Sequence, residues 1–327
     1  MATPLWKRRT FLLGAASALL ANQSGVIGQA VAADDIWPRS VDTPKGKLTL
    51  ESKPQRIVST SVTLTGTLLA INAPLAASSA TNNMGTVADH AGFFTQWAEI
   101  AHQRGVVPVY RTEPDVEAVM AAAPDLIIMS ATGGDSALRL YDQISQIAPT
   151  LVVNYDDKSW QEVAMLLGSA TGLEAEAKAV IAEFDKRVAD TKLKLRLPPQ
   201  PITAAVYYED DSGANVWTPA SAQGKLLLAL GFELAAIPPE VKTLTTMGIR
   251  SDIIQLSGEQ FADGVNGETL LLFAADDSII DQVNANIFLK HIKSVSSKRV
   301  YAMGLDTFRL DYYSASHMLE RLTRLFV

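Results

Sequence analysis

The chain has 327 residues, with 28 Lys and Arg against 35 Asp and Glu, four histidines and no cysteine. A net charge of −7 makes a surface unattractive to nucleic acid and anionic lipid. The missing cysteines exclude disulfides, thiolate metal sites and cysteine nucleophiles.

Residues 1–33 read as an export signal rather than as part of a fold. Lys7, Arg8 and Arg9 precede an apolar run of about ten residues, and "AVAADD" offers a small-residue cleavage site after Ala32 or Ala33. The paired arginines before "TFLL" resemble a twin-arginine signal; the alternative is an ordinary secretory signal that happens to carry two arginines. The apolar run is short of the ~20 residues that span a bilayer, so no membrane insertion is expected. Without a cysteine to lipidate, a soluble exported chain stays near the cell only behind an outer membrane, which points to a periplasm. Residues 34–327 are long enough for two domains, because single cores seldom grow far beyond ~250 residues.

Strand-like and helix-like stretches alternate from there on, which predicts an α/β fold. "RIVST" (56–60) reads as a strand and "VTLTGTLLAI" as the helix after it. "PLAASSA", "VVPVY", "DLIIMSA" and "TLVVNY" read as further strands, with helices at "DVEAVMAAAP" and "SALRLYDQISQI". Between Ser130 and the second of these helices lies "ATGGDS". Its adjacent Gly133 and Gly134, with no lysine after them, fit neither a P-loop nor a dinucleotide turn.

Leu173, Ala177, Val180, Phe184, Val188, Thr191 and Leu195 then recur at spacings of three and four, one face of a long helix that "LPPQP" stops. Such a helix is either a plain packing element or a rigid connector between two α/β halves. The expected division is residues 34–172 as an N-terminal lobe, 173–197 as the connecting helix and 198–327 as a C-terminal lobe. In the second half "ITAAVYYED", "FELAAI", "ETLLLFAAD" and "KRVYAMG" read as strands. "SAQGKLLLALG", "SDIIQLSGEQFA" and "DYYSASHMLERLTRLF" read as helices. Functional loops in such a fold lie at strand C-termini, facing a cleft between the halves.

Catalysis finds little support. His90, His102, His291 and His317 show no metal-ligand spacing, and there is no G-x-S-x-G elbow. The carboxylates of "YDD" and "EDD" are expected to be solvated turn residues. "NVWTP" is more informative: Trp217 in a loop after a strand is either a half-buried anchor or a flat apolar face for an aromatic ligand. Arg250 in "GIRSD" and Arg309 in "TFRLDYY" are each salt-bridge partners or ligand contacts. Together with Trp217 they suit an anionic aromatic ligand.

"RIVSTSVTLTGTLLAI", "SATGGDSAL", "IAPTL", "NYDDKSW", "SDIIQL" and "TFRLDYYSA" closely resemble the periplasmic iron–siderophore-binding family, in particular its ferric-enterobactin-binding members, over essentially the whole chain after the signal. The resemblance implies two α/β lobes joined by one long helix and a monomeric, non-enzymatic receptor. That receptor has no cofactor and delivers a ferric siderophore to an ABC importer, a permease dimer with its ATPase. Six catecholate oxygens hold the iron, so the protein supplies no metal ligand. The complex is a trianion that calls for cations and aromatic surface. The resemblance places Trp217, Arg250, Arg309, Asn83, Gly133 and Gly134 along the cleft, the two glycines allowing close approach of a bulky ligand or serving only a tight turn. It makes Ser136 a helix cap and Glu117 and Glu259 the permease-docking residues. One position departs: Thr86 stands where the family pattern has arginine, and Arg111 in "VYRTEP" is the expected substitute cation. Alternative readings are another iron chelate or a cobalamin-type ligand, an exported enzyme, or a ligand-reporting sensor.

Overall fold

The computed structural model describes residues 36–82, 87–208, 213–246 and 250–327, and the statements below concern those residues. The expected signal segment lies outside them, as do Asn83 and Thr86. A two-residue turn joins β1 (Arg39–Thr43) to β2 (Gly46–Leu50), an antiparallel hairpin that the sequence reading did not foresee. Arg39 fastens it to the helices behind, donating to the Ser169 carbonyl at 2.7 Å and pairing with Glu174.

The N-terminal lobe follows the predicted alternation. It runs β3 (Ile57–Ser59), α1 (Val62–Ala70), β4 (Leu75–Ala80), α2 (Ala98–Gln103), β5 (Val107–Arg111), α3 (Val116–Ala121) and β6 (Leu126–Ser130). A short turn of 3-10 helix leads into α4 (Tyr141–Ile144), less helix than "SALRLYDQISQI" predicts, then β7 (Thr150–Val153) and α5 (Trp160–Thr171). The sheet is all parallel in the order β5-β4-β3-β6-β7. All five residues of β6 are buried, as befits a strand covered on both faces by crossover helices. Pro108 is tolerated because β5 is an edge strand, where a missing N–H breaks no ladder.

Gly172, in the left-handed region at φ 69°, ends α5 and turns the chain directly into α6 (Glu174–Lys192). At 19 residues α6 is about 28 Å long. Of the predicted stripe, Ala177, Phe184 and Val188 are buried and the other helical positions partly so. Phe184 stands edge-on to Trp160 of α5 (5.1 Å between centroids) and to Tyr312 of the C-terminal lobe (6.3 Å). Arg187 donates to the Ser316 hydroxyl at 2.9 Å, so α6 is packed against both halves.

The C-terminal lobe comprises β8 (Ile202–Tyr208), β9 (Gly213–Trp217), α7 (Ala222–Leu230), β10 (Ile253–Leu256), α8 (Gly258–Gly264) and β11 (Thr269–Leu272). It continues with α9 (Ser278–Ala285), α10 (Lys293–Ser296), β12 (Val300–Ala302) and α11 (Tyr312–Phe326). Its sheet order is β10-β9-β8-β11-β12, with β9 antiparallel to both neighbours.

Three local expectations are corrected here. Trp217 closes strand β9 rather than sitting in a loop. "SDIIQL" is strand β10, because the β-branched Ile253 and Ile254 pair with Trp217 and Val216 of β9; only "GEQFADG" after it is helical. "FELAAI" makes one bridge, Leu234 to Ile202, before Pro238 and Pro239 intervene. Among the described residues no helix is long and apolar enough to cross a membrane.

Candidate functional site

The loops after β3, β6 and β7 face those around β9, β10 and β12 across the inter-lobe cleft. Two cavities open there, one of about 110 Å³ and one of about 360 Å³. They share Gly134, Phe308 and Arg309 in their linings and so form two chambers of one cleft. The smaller is walled by Thr63, Tyr155, Asp156, Trp217 and Arg250; the larger by Phe94, Tyr110, Asp135 and Asp306 among others.

Trp217, 5 % exposed, packs edge-on against Phe308 (5.7 Å) and Phe273 (6.3 Å). Its indole N–H has no hydrogen-bond partner. A buried donor left unpaired costs roughly 1–3 kcal/mol.

Arg250 is gripped from its own lobe by Asp252, through Nε–Oδ1 at 2.9 Å and Nη2–Oδ2 at 2.7 Å, and from the opposite lobe by Asp156 at 3.1 Å. The Asp252 hydrogen bonds, outweighing partial burial, hold its pKa above the ordinary arginine value. Arg309 pairs with Asp135 across the cleft at 3.3 Å, bonds the Thr63 hydroxyl and lies 5.9 Å from the Phe308 ring.

Asp135 does several jobs at once. It accepts from the Ser61 hydroxyl at 2.6 Å, from the Thr63 amide at 3.0 Å and from the Tyr155 phenol at 3.2 Å. Those bonds satisfy an otherwise orphaned donor at the start of α1. Burial works to raise the Asp135 carboxyl, but Arg309 and the Ser61 and Thr63 donors overbalance it and hold it below the usual range. Burial pushes the Tyr155 phenol well up, so it stays a neutral donor.

The glycine pair divides. Gly133 has φ 86°, and a Cβ there would come within 1.9 Å of the Tyr155 oxygen. Gly133 is therefore required by the Tyr155–Asp135 contact. Gly134 lines both chambers, and a Cβ there meets nothing within 4 Å. Ser136 is not the helix cap expected, a position that Ala137 holds without a side-chain bond; its hydroxyl instead pins the turn, donating to the Ser130 carbonyl at 2.8 Å and accepting from the Leu138 amide at 3.2 Å.

Arg111 is not brought into either chamber. It donates to the carbonyls of His90 (2.7 Å) and Thr81 (3.3 Å), with its guanidinium packed close to Gly92. Glu117 and Glu259 are exposed in the first turns of α3 and α8, one on each lobe. The sequence reading missed Thr63, Asp135, Tyr155, Asp156 and Asp252. The "YDD" turn, taken as solvated, instead supplies a buried phenol and a cleft carboxylate; the signal available was its place at a strand C-terminus.

Residues 57–307 match the periplasmic binding protein family. The chain belongs to that family. It is a family of binding proteins, in line with the expectation of a receptor rather than an enzyme, and its two-lobed α/β fold is the one expected. This binding protein is 55 % identical over 297 residues to the ferric enterobactin-binding periplasmic protein FepB of Escherichia coli O6:H1, covering 91 % of this chain and 93 % of that one. It is similar to the crystal structure of holo-ViuP, with 33 % identity and a TM-score of 0.83 over 90 % of this chain and 96 % of that one. The triscatecholate siderophore-binding protein FeuA of Bacillus subtilis, solved with ferri-bacillibactin, shares the fold at 17 % identity. Its TM-score is 0.63, over 88 % of this chain and 98 % of FeuA.

Proposed function

We propose that this binding protein captures a ferric tris-catecholate siderophore, of the enterobactin type, in its inter-lobe cleft. It then delivers the complex to an inner-membrane ABC importer. The observation that carries the reading is the convergence of Arg250, Arg309 and the ring of Trp217 on one cleft. The similarity to a ferric enterobactin-binding protein over nine-tenths of both chains supports it.

Cations and aromatic edges are what a catecholate trianion needs from a protein that leaves the metal to the chelate. The N-terminal signal reading supports residence in the periplasm, and exposed Glu117 and Glu259, on opposite lobes, suit docking to paired permease subunits. The lobes correspond to residues 34–172 and 198–327, with the connecting helix between them.

The test is a tryptophan-fluorescence titration of the chain without residues 1–33 against ferric enterobactin, ferrichrome and cobalamin, repeated with Trp217→Phe. Saturable quenching by the catecholate alone, weakened in the variant, is expected. Saturation by ferrichrome or cobalamin with no response to the catecholate would overturn the reading.

A further inference from the structure

The two cleft arginines are not bare cations. Arg250 meets Asp156, and Arg309 meets Asp135, each carboxylate coming from the opposite lobe. Lys225 of α7 adds a third crosslink of the same polarity, to Glu162 of α5 at 2.8 Å. In all three the cation stands on the C-terminal lobe and the carboxylate on the N-terminal lobe. An anion that contacts Arg250 or Arg309 therefore does so in competition with a carboxylate of the protein itself.

Positioning does not account for Asp156. The Asp252 carboxylate already fixes the Arg250 guanidinium through two hydrogen bonds from its own lobe. What Asp156 adds is charge, and its side chain, about one-fifth exposed, has water to turn to when displaced. Asp135 differs, because the Ser61, Thr63 and Tyr155 bonds tie it to its lobe. It remains beside Arg309 as a fixed negative charge.

We propose that Asp135 and Asp156 are internal counter-ions that compete with the anionic ligand for Arg309 and Arg250 and thereby speed its release. As a ligand leaves, Arg250 regains Asp156 as its second carboxylate, and the fixed Asp135 charge weakens the ligand's hold on Arg309 throughout. The pair thus lowers affinity for multivalent anions while leaving neutral chelates untouched. This inference rests on the cleft being the anion-binding site proposed above.

The decisive variant is Asp156→Asn, with Asp135→Asn as a second whose fold is checked by circular dichroism, since Asp135 also serves α1. Asp156→Asn is expected to bind ferric enterobactin about tenfold tighter, chiefly through slower dissociation in stopped-flow fluorescence, as interface changes mostly act on off-rates. Response to ferrichrome, a neutral chelate, is expected to be unchanged. Equal or weaker binding of the trianion by Asp156→Asn overturns the inference while leaving the functional reading intact. Should the unsubstituted protein fail to bind ferric enterobactin, the functional reading falls. Calorimetric titration with pyrophosphate then decides the counter-ion role alone: tighter binding by the variant supports it, and equal or weaker binding overturns it.

Discussion

Replacing Gly133 by alanine tests the geometry of the cleft turn most directly. The backbone there has φ 86°, and the new Cβ would sit 1.9 Å from the Tyr155 oxygen and 3.1 Å from its Cζ. Left-handed backbone costs an L-residue roughly 1–2 kcal/mol. Moving the phenol away breaks its 3.2 Å bond to the Asp135 carboxylate, a charge-assisted contact worth about 1.5 kcal/mol or more. Gly133→Ala should therefore lose about 3 kcal/mol of stability, or a melting temperature lower by roughly 6–12 °C. Gly134→Ala, one residue on and facing open space, should lose less than about 1 kcal/mol. Urea unfolding followed by tryptophan fluorescence measures both. In a Tyr155→Phe background the 1.9 Å contact and the bond are absent and only the tight contact with the ring edge remains, so the Gly133→Ala loss should shrink towards the backbone term, about half. Equal losses for the two glycine variants, or a Gly133→Ala loss indifferent to Tyr155→Phe, would refute the reasoning.

Burial lifts the Asp311 carboxyl to about 6, its bonds from the Ser314 and Tyr313 amides and from Gln96 offsetting only part of the rise. The folded protein thus keeps a proton that the unfolded chain gives up from pH ~4, and stability falls as pH rises through that window. Asp311→Asn keeps an acceptor for the amides at the start of α11 without the charge. It should gain about 3 kcal/mol relative to the unsubstituted protein between pH 4 and 7, and urea midpoints that move in parallel at both pH values would contradict this. Reversing Glu117 and Glu259 together to lysine should abolish iron uptake in cells carrying the cognate importer and leave affinity for ferric enterobactin within about twofold. Loss of binding by the purified double variant would refute their docking role. Arg111→Ala should cost about 1–2 kcal/mol of stability through its two carbonyl bonds while changing affinity by less than about threefold. A tenfold weaker affinity would mean that its charge acts in the cleft.

Much of the architecture was legible because it is written in short-range patterns. The alternation of buried strands and amphipathic helices and the stripe through Ala177, Phe184 and Val188 each concern residues within a few positions of one another, although the helix expected over 173–197 ends at Lys192, ahead of the prolines. The errors were local ambiguities that pairing resolved. Ile253 and Ile254 could begin a helix by period alone, and only β9 beside them makes them a strand. Trp217 looked like a loop residue because its strand is only five residues long and ends just before Thr218 and Pro219.

The sequence by itself determined the α/β class, the connecting helix, the family resemblance and five of the cleft residues, Trp217, Arg250, Arg309, Gly133 and Gly134. Tertiary structure alone decided what those residues face. Arg250 and Asp156 are 94 positions apart, and Arg309 and Asp135 further still, so no spacing rule links them. Each carboxylate, read locally, is an ordinary polar turn residue. Likewise Arg111, one strand end among several, turned to backbone carbonyls at the edge of the sheet instead of to the cleft. Periodicity and capping are properties of neighbouring residues along the chain, whereas an ion pair across a cleft depends on how two separately folded lobes come to face each other.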